Sequence, residues 1–310
     1  MSTPWVVYLV WAPLGTDVVR RFAASYRTHP AGTAHTLAVI YNGFNGRNDP
    51  RLQACRSALE GCPHEPLMLD DPVQDLTAYR VAAERLQGTS YCFLNSFTRL
   101  LDADWLRPLG KALAGPGVGL VGASGSWGSV GSYARFMVGL GGAYRSVFND
   151  RRATNAALAG LETARGPALP THGHLRRYGR FALALVDQSH GFPPFPAPHI
   201  RTTGFMVGDD VLAQVGIGTP RRKVDAYRLE SGRGSITAKV LALGLTPVVA
   251  GRDGGVYEPG VWPASRTFWA GNQENLLIAD KQTDNYERAD ATLRAILSGY
   301  AWGQGAPSAE

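Results

Sequence analysis

The chain has 310 residues, of which 45% are hydrophobic and 18% charged, so we expect a folded core and exclude wholesale disorder. The formal net charge of +6 favours anionic ligands such as nucleotides, acidic glycans or a membrane surface, although many basic globular proteins bind no polyanion. No run of Lys and Arg is long enough for a nucleic-acid-binding arm, so we expect no nucleic-acid partner.

The cysteines and the apolar runs favour a cytoplasmic location. Cys55, Cys62 and Cys92 lack the spacing of a zinc site, and we expect reduced thiols in a cytoplasmic protein. The first residues lack the basic segment of a signal peptide, and no apolar run approaches ~18 residues. We therefore expect no membrane-spanning helix, so that any membrane association would be peripheral.

The first part of the chain alternates between short apolar runs and amphipathic segments. We predict strands at residues 5–10, 36–41, 65–69, at the run that starts at Tyr91, and at 117–121. Between them we predict helices at residues 18–26, 51–59, 75–86 and 104–113, with Thr16, Asp17 and Asp75 as capping residues. Strands that alternate with helices predict a parallel, doubly wound sheet.

The second part of the chain gives weaker signals. We interpret residues 130–190 as an insertion with partly helical stretches at 133–140, 151–161 and 175–185, followed by a stiff Pro-rich connection. We then predict a strand at 200–208, a helix at 209–215, a helix at 236–243 capped by Ser235, and a strand at 246–250. Residues 252–270 read as a loop, and 273–280 and 290–297 as helices.

The run that starts at Tyr91 turns polar abruptly at Asn95 and Ser96. In open α/β sheets, ligands bind where the strands end in loops. We therefore expect a ligand to be held at this strand end.

This order of elements resembles the GT-A glycosyltransferases, and most closely the family 2-like proteins of bacterial polysaccharide synthesis, over roughly residues 5–250. The resemblance implies an α/β, GT-A-like (Rossmann-like) fold, with a mostly parallel central sheet, helices on both faces and a helical or loop insertion. It also implies a nucleotide-sugar-binding half at 1–129, a variable insertion and Pro-rich connection at 130–198, an acceptor-side half at 199–302 and a tail at 303–310.

The motif that holds a metal in this family departs from its usual form here. The family's fourth strand ends in Asp-x-Asp, which binds a divalent ion against the nucleotide diphosphate, whereas Asn95 and Phe97 occupy the two acidic positions in this chain. Either the enzyme is metal-independent, with basic residues neutralising the leaving group, or its Mg²⁺ or Mn²⁺ site is degenerate. Asp102 and Asp104 form a literal Asp-x-Asp and are the alternative metal ligands, although acids there serve a helix N-terminus equally well.

A second matching region contains an acidic residue that could act as a base. In family 2-like enzymes a Glu-Asp pair opens a helix, and its acid deprotonates the acceptor hydroxyl; here Glu230 matches the first residue of the pair and Ser231 the second. Because a sugar hydroxyl is a poor nucleophile without a base, Glu230 is the first candidate base and Asp225 the second. The alternative for Glu230 is a surface capping acid.

Other candidates follow from the same resemblance. The candidates for binding the donor nucleotide or its diphosphate are Trp11, Pro13, Asp70, Asp71, Tyr79, Asn95, Ser96, Arg252 and Arg266. The candidates for binding the acceptor are Thr203, Gly204, Trp262 and Trp269. The alternatives are turn chemistry for Asp70 and Asp71, a core position for Tyr79, and a loop packed against the sheet for residues 252–275.

These observations predict a glycosyltransferase that moves a sugar from a nucleotide-sugar donor to a glycan or lipid-linked acceptor, with inversion. The alternative is a non-catalytic scaffold of the same fold that binds nucleotide-sugar or glycan as a partner subunit. A Rossmann-like methyltransferase is disfavoured, because the first strand ends without a Gly-rich turn.

Overall fold

The computed structural model describes residues 3–130, 191–220 and 223–303, with the side chains of residues 223 and 224 not described. The chain divides into two compact units, Met1–Trp127 with Pro198–Glu310, and Gly128–Ala197. The predicted helical stretches between residues 133 and 185 and the tail after residue 303 lie outside the described residues, so the predicted domain boundaries stay a prediction. Within the second unit, the Ser129 hydroxyl donates a hydrogen bond to the Pro193 carbonyl.

An eight-stranded sheet organises the first unit. Its strand order is β11-β10-β6-β9-β4-β1-β2-β3, and two short pairs, β5 with β12 and β7 with β8, lie beside it. The strands are β1 Trp5–Trp11, β2 Thr36–Asn42, β3 Glu65–Met68, β4 Ser90–Leu94, β5 Arg99–Leu100, β6 Val118–Gly122, β7 Gly125–Ser126, β8 His199–Ile200, β9 Gly204–Gly208, β10 Thr246–Ala250, β11 Val256–Tyr257 and β12 Ile278–Ala279.

The sheet is mostly parallel, which confirms the predicted fold class. β1 pairs in parallel with both β2 and β4, β2 with β3, and β6 with β10. Two strands are exceptions: β11 runs antiparallel to β10 at one end of the sheet, and β9 runs antiparallel between β4 and β6 and brings Gly204 opposite Leu94. The beginning of β9 therefore lies at the edge of the sheet where β4 and β6 end.

Helices cover both faces of this sheet. On one face, Phe22 stacks on Tyr8 with ring centroids 3.6 Å apart; on the other, Tyr79 stacks on Phe93 at 4.7 Å. Among the described residues, two 3₁₀ helices span Ala12–Leu14 and Pro259–Ser265. The α-helices of these residues are α1 Thr16–Thr28, α2 Pro50–Ala58, α3 Asp75–Leu86, α4 Leu106–Leu113, α5 Asp209–Val215, α6 Lys223–Ser231, α7 Ile236–Ala242, α8 Lys281–Glu287 and α9 Ala291–Trp302.

Local capping chemistry explains where several helices begin. The Ser235 hydroxyl accepts a hydrogen bond from the Ala238 N–H, as predicted, and Asp280 forms a capping box with Thr283. Two predicted caps are wrong: α1 begins after Gly15 and α3 after Gln74, neither with a side-chain cap. Asp75 instead lies inside the first turn of α3, where its carboxylate accepts a hydrogen bond from the Leu76 N–H.

Three other predictions need correction. The helix predicted at 273–280 is absent, since this buried apolar stretch contains β12, which pairs with β5. The loop predicted at 252–270 contains β11 and a 3₁₀ helix. The strand predicted at 200–208 is broken into β8 and β9 at residues 201–203, whose side chains make the contacts described below.

All three cysteines are buried and unpaired with one another, and Cys92 lies within β4 as predicted. Within the described parts of the chain, every helix is either too short or too polar to cross a bilayer.

Candidate functional site

The carboxyl ends of the parallel strands meet at one edge of the sheet, and the start of β9 joins them there. The Asn95 N–H, directly after β4, donates a hydrogen bond to the Thr203 carbonyl at 3.1 Å. The Ala123 N–H, directly after β6, donates to the Gly204 carbonyl at 2.9 Å. The structure thus brings Asn95, at the end of one predicted strand, together with Thr203 and Gly204, which the sequence analysis had placed on another.

We call residues 201–203, which connect β8 to β9, the strap. Glu230, near the end of α6, contacts the strap through one carboxylate oxygen. Its Oε1 accepts hydrogen bonds from the Thr202 N–H at 2.9 Å and from the Thr202 hydroxyl at 2.8 Å. Among the residues that the structure describes, Oε2 has no hydrogen-bond partner. Glu230 is half-buried and also lines a small pocket with Leu120, Ile200, Thr202, Phe205, Leu229 and Ile236.

A second carboxylate contacts the same strap. Asp280 Oδ2 accepts hydrogen bonds from the Thr203 hydroxyl and from the Arg201 guanidinium, both at 2.8 Å. The two charged side chains are 7% and 6% exposed, so this is a buried ion pair. Burial by itself raises the pKa of Asp280, but the charge of Arg201 and the hydrogen bonds from Thr283, Arg201 and Thr203 outweigh burial and lower that pKa below its ordinary value.

Arg201 makes further contacts that fix its orientation. Its NH1 group donates to the Ser124 hydroxyl at 3.2 Å, and its NH2 group also donates to the side-chain oxygen of Gln282 at 3.1 Å. The guanidinium carbon lies 3.9 Å from the centroid of the Phe268 ring, which is a cation–π contact. Arg201 therefore connects the strap to the β6–β7 turn and to the start of α8.

The end of β4 has the geometry of a local turn. Asn95 Oδ1 accepts hydrogen bonds from the Phe97 N–H at 2.9 Å and from the Thr98 hydroxyl at 3.4 Å. The Ser96 carbonyl accepts from the Tyr8 hydroxyl at 3.2 Å. The side-chain oxygen of Asn95 is thus engaged within the protein. Within residues 3–130, 191–220 and 223–303, no group of three or more His, Cys, Asp or Glu side chains could hold a metal ion.

Asp102 and Asp104 each pair with a different arginine. Asp102 Oδ2 lies 2.9 Å from Arg252 Nε, and Asp104 Oδ2 lies 3.0 Å from Arg107 NH1. The backbone N–H of Asp104 donates to the Pro30 carbonyl, in the loop that precedes β2. The residues at the end of β4 and this Asp-x-Asp therefore do not fit a divalent ion held by a cluster of carboxylates.

The predicted diphosphate-binding arginines are both in ion pairs. Arg252 pairs with Asp102, as above, and its NH2 group also donates to the Leu276 carbonyl at 3.1 Å. Arg266 NH1 lies 2.6 Å from Glu274 Oε1, and both side chains are about half exposed. To neutralise a diphosphate, either arginine would have to share or leave its carboxylate partner.

The aromatic candidates differ in exposure. Trp262 is 0% exposed and its indole N–H donates to the Tyr257 carbonyl, so it is a core residue rather than a platform for a sugar. Trp269 is also buried, and its ring stacks on Phe268 at 4.4 Å. Trp11 is half-buried at the end of β1, where its ring lies against Gly43, and Pro13 is exposed. Of these aromatic side chains, only Trp11 remains a candidate for stacking.

Asp70 and Asp71 are both exposed after β3, in the position predicted for them. Tyr79 is 0% exposed and packs in the core, which was the alternative considered for it. Its hydroxyl is buried and has no hydrogen-bond partner in the part of the chain that the structure describes. Burial, together with the nearby charges of Asp75 and Glu230, raises the pKa of Tyr79 well above 10.0.

Asp225, the second candidate base, lies in the first turn of α6. Its Oδ1 is 3.3 Å from Arg228 NH1, in a pair whose side chains are each 28% exposed. Asp225 thus has a cationic partner, whereas Glu230 contacts neutral groups of the strap.

Sequence reasoning missed Thr202, Arg201, Asp280 and Asn42. The pattern Asp280-x-x-Thr283 is that of a capping residue and could have located the start of α8, although nothing in it indicates a contact with the strap. Asn42 ends β2, and its side-chain amide exchanges two hydrogen bonds with the backbone of Val73, at 2.8 and 3.1 Å. Asn42 thereby ties the end of β2 to the segment before α3.

Comparison with known proteins gives only distant likenesses. No protein-family model matches the sequence, and no curated protein matches it. Among solved structures, the chain is similar to the mannosyltransferase PcManGT from Pyrobaculum calidifontis in complex with GDP-Man and Mn²⁺, with 12% identity, a TM-score of 0.45, and coverage of 85% of this chain and 59% of that one.

The chain is also similar to glucosyl-3-phosphoglycerate synthase from Mycobacterium tuberculosis. The complex with Mg²⁺ and uridine diphosphate has 14% identity, a TM-score of 0.34, and coverage of 68% of this chain and 58% of that one. The complex with Mn²⁺, UDP-glucose and phosphoglyceric acid has 12% identity, a TM-score of 0.35, and coverage of 78% and 64%. This chain therefore spans less than two thirds of the length of these solved structures.

Proposed function

We propose that this chain is a glycosyltransferase that moves a sugar from a nucleotide-sugar donor to a glycan or lipid-linked acceptor, with inversion. The observation that carries the proposal is that Asn95 and Glu230 both contact the strap, at neighbouring residues. A donor-side strand end and a candidate base are thereby close together at the edge of the sheet where α/β proteins bind ligands. A cytoplasmic location and peripheral membrane association, expected from the sequence, belong to the same proposal.

Glu230 is the proposed general base. Inverting transfer needs a group that accepts the proton of the acceptor hydroxyl as that oxygen attacks the sugar. Oε1 is oriented by two hydrogen bonds from Thr202, and Oε2 is the oxygen left to accept this proton. Asp225 is the less suitable base because its carboxylate already pairs with Arg228.

The proposed donor site lies at the ends of β1, β3 and β4. Trp11 offers an aromatic face to a nucleotide base, and Asn95 and Ser96, after the neighbouring strand β4, would lie beside the diphosphate. Asp70 and Asp71 are exposed after β3, which β2 separates from β1 in the strand order. Because the residues after β4 do not fit a divalent ion, we propose that the donor binds without a tightly held metal.

A second candidate function is a non-catalytic subunit that binds a nucleotide-sugar or glycan for a partner. The ion pairs of Arg252 with Asp102 and of Arg266 with Glu274 favour it, because both cations expected to neutralise a leaving diphosphate already have acidic partners.

A thermal-shift screen tests the proposal. The chain is heated with nucleoside diphosphates and nucleotide-sugars, once with EDTA and once with Mn²⁺, since a ligand that binds the folded state raises the melting temperature. We expect one nucleotide to raise it in EDTA, and a radiolabelled sugar from that donor to be transferred to a glycan or lipid-linked acceptor. Binding without transfer to any acceptor would favour the scaffold. No shift with any nucleotide would contradict the glycosyltransferase and favour a scaffold that binds glycan.

The same screen tests Asp102 and Asp104. A shift that requires Mn²⁺, and that is lost in Asp102→Asn and Asp104→Asn, would contradict metal-independent donor binding and identify these residues as the ligands. The matched control is Asp17→Asn, an exposed acid that pairs only with Arg20 among the described residues.

A further inference from the structure

We propose that Asp280 and Arg201 are positioning residues for the base: they hold the strap in the place where Thr202 orients Glu230. This inference rests on the proposed function. Neither residue was singled out from the sequence, and neither contacts Glu230 directly in the interactions described above. Both would act through the strap.

The strap is held on both sides by carboxylates. On one side, Glu230 binds the backbone and the hydroxyl of Thr202. On the other, Asp280 binds the hydroxyl of Thr203 and the guanidinium of Arg201. All three strap side chains are therefore engaged, and the Thr203 carbonyl also accepts from the Asn95 N–H. A shift of the strap would displace the Thr202 N–H and hydroxyl that donate to Glu230 Oε1.

Asp280 is itself fixed by its neighbours. Its Oδ1 accepts from the backbone N–H groups of Gln282 and Thr283, at 3.0 and 2.9 Å, so the start of α8 sets its position. Its Oδ2 is thereby directed to Thr203 and Arg201. The Asp280 carboxylate therefore links the start of α8 to the strap, through hydrogen bonds that are each no longer than 3.0 Å.

The chemistry of this pair favours a geometric role over a purely stabilising one. The Arg201–Asp280 pair is almost fully buried, and burying two charges offsets most of their attraction, so such pairs stabilise a fold little compared with apolar residues of the same size. Directional hydrogen bonds instead specify one position for the groups that they join. Here the hydrogen bonds specify the position of the strap, and Thr202 of the strap donates the two hydrogen bonds that orient Glu230.

The test compares two substitutions at Thr203. Thr203→Val removes the hydroxyl that donates to Asp280 and keeps a similar side-chain volume, whereas Thr203→Ser keeps the hydroxyl. Hydrogen–deuterium exchange of the peptide that contains residues 201–204 reports the strap directly, and kcat and KM for the donor report its effect on transfer.

We expect faster exchange of the strap amides in Thr203→Val and near-wild-type exchange in Thr203→Ser. In the transfer assay we expect kcat to fall by about tenfold to a hundredfold in Thr203→Val, with KM for the donor nearly unchanged, because a small displacement of a catalytic group affects the chemical step most. Thr203→Ser is expected to retain most of kcat.

Equal exchange rates and equal kcat in the two variants would overturn the inference. If Thr203→Val does not fold, Asp280→Asn, which keeps the shape of the side chain, takes its place, and unchanged exchange in the strap would again overturn it. The rate of hydrogen–deuterium exchange can be measured whether or not the protein transfers a sugar. A wild-type protein without transferase activity would contradict the proposed function. The exchange rates of the strap amides would still decide whether Asp280 holds the strap.

Discussion

The indole ring of Trp11 lies against the backbone of Gly43, so closely that a Cβ atom at residue 43 would be 2.6 Å from Cζ3 of the ring. Gly43 has a φ of +80°, in the left-handed region that favours glycine. The loop after β2 thus supports the aromatic side chain that ends β1. This contact is local to the proposed donor site and can be tested with a matched pair of glycines.

Gly43→Ala is expected to displace Trp11 and to lower the free energy of unfolding by about 2–4 kcal/mol, from backbone strain together with the clash. Gly46→Ala is the control, because Gly46 has a φ of +78° but no heavy atom within 4 Å of the added Cβ. It should lower the free energy of unfolding by only ~1–2 kcal/mol. Urea denaturation measures both values. The thermal shift with a nucleotide should shrink only in Gly43→Ala, and equal behaviour of the two variants would count against a role for Trp11.

Glu230→Gln is expected to lower kcat by about 10²–10⁴-fold while the protein stays folded. The glutamine side chain keeps an oxygen that can accept both hydrogen bonds from Thr202, so the strap should stay in place, but it cannot take the acceptor proton. Glu60→Gln, at an exposed position away from this edge, is the control and should retain wild-type kcat. Steady-state kinetics measures kcat for both variants. A large loss of kcat in Asp225→Asn, with no loss in Glu230→Gln, would identify Asp225 as the general base.

Asp280→Asn is expected to lower the free energy of unfolding by about 3–5 kcal/mol at neutral pH, because it leaves the buried Arg201 charge unpaired. The pKa of Asp280 is lowered in the folded state, mainly by Arg201 acting against the effect of burial. The stability that this carboxylate contributes is therefore fully present above its unfolded pKa of about 3.9 and is lost as the pH falls through the lower, folded value. Urea denaturation at several pH values should show the difference between wild type and variant shrinking below about pH 4. A difference in the free energy of unfolding that stays constant below about pH 4 would contradict a stabilising role for the ionised Asp280 carboxylate.

Removal of residues 128–197 is expected to leave a folded first unit. The segment begins and ends next to a paired position, since Ser126 and His199 are partners in the antiparallel β7–β8 pair, with Cα atoms about 5 Å apart. Trp127 is held by hydrogen bonds from its N–H to the Ala301 carbonyl and from its indole to the Pro259 carbonyl. A short Gly/Ser linker from Trp127 to Pro198 should therefore preserve a single cooperative unfolding transition. Loss of the near-ultraviolet circular dichroism signal in this variant would show that the first unit does not fold alone.

Local pattern was enough to predict much of the sheet. The strands at β1, β2, β3, β4, β6 and β10 were located to within about two residues, because apolar runs bounded by turn residues and amphipathic helices are encoded by neighbouring positions. The helix Asp75–Leu86 was predicted with its observed bounds. Predictions failed where tertiary pairing overrides local preference, as at Ile278–Ala279, which form the short strand β12 because β5 lies beside them.

The candidate site also has features that the sequence predicts and features that only tertiary contacts decide. The sequence by itself determined that a polar strand end at Asn95 and an acid at Glu230 belong to an α/β protein, because residue type and order are enough for that. Only the tertiary structure decided that both contact the strap, that Trp262 and Tyr79 are core residues, and that Arg201 and Asp280 form a buried pair behind Thr203. The physical reason is that these hydrogen bonds join residues far apart in the chain, and their partners are set by the antiparallel placement of β9, which no local pattern encodes.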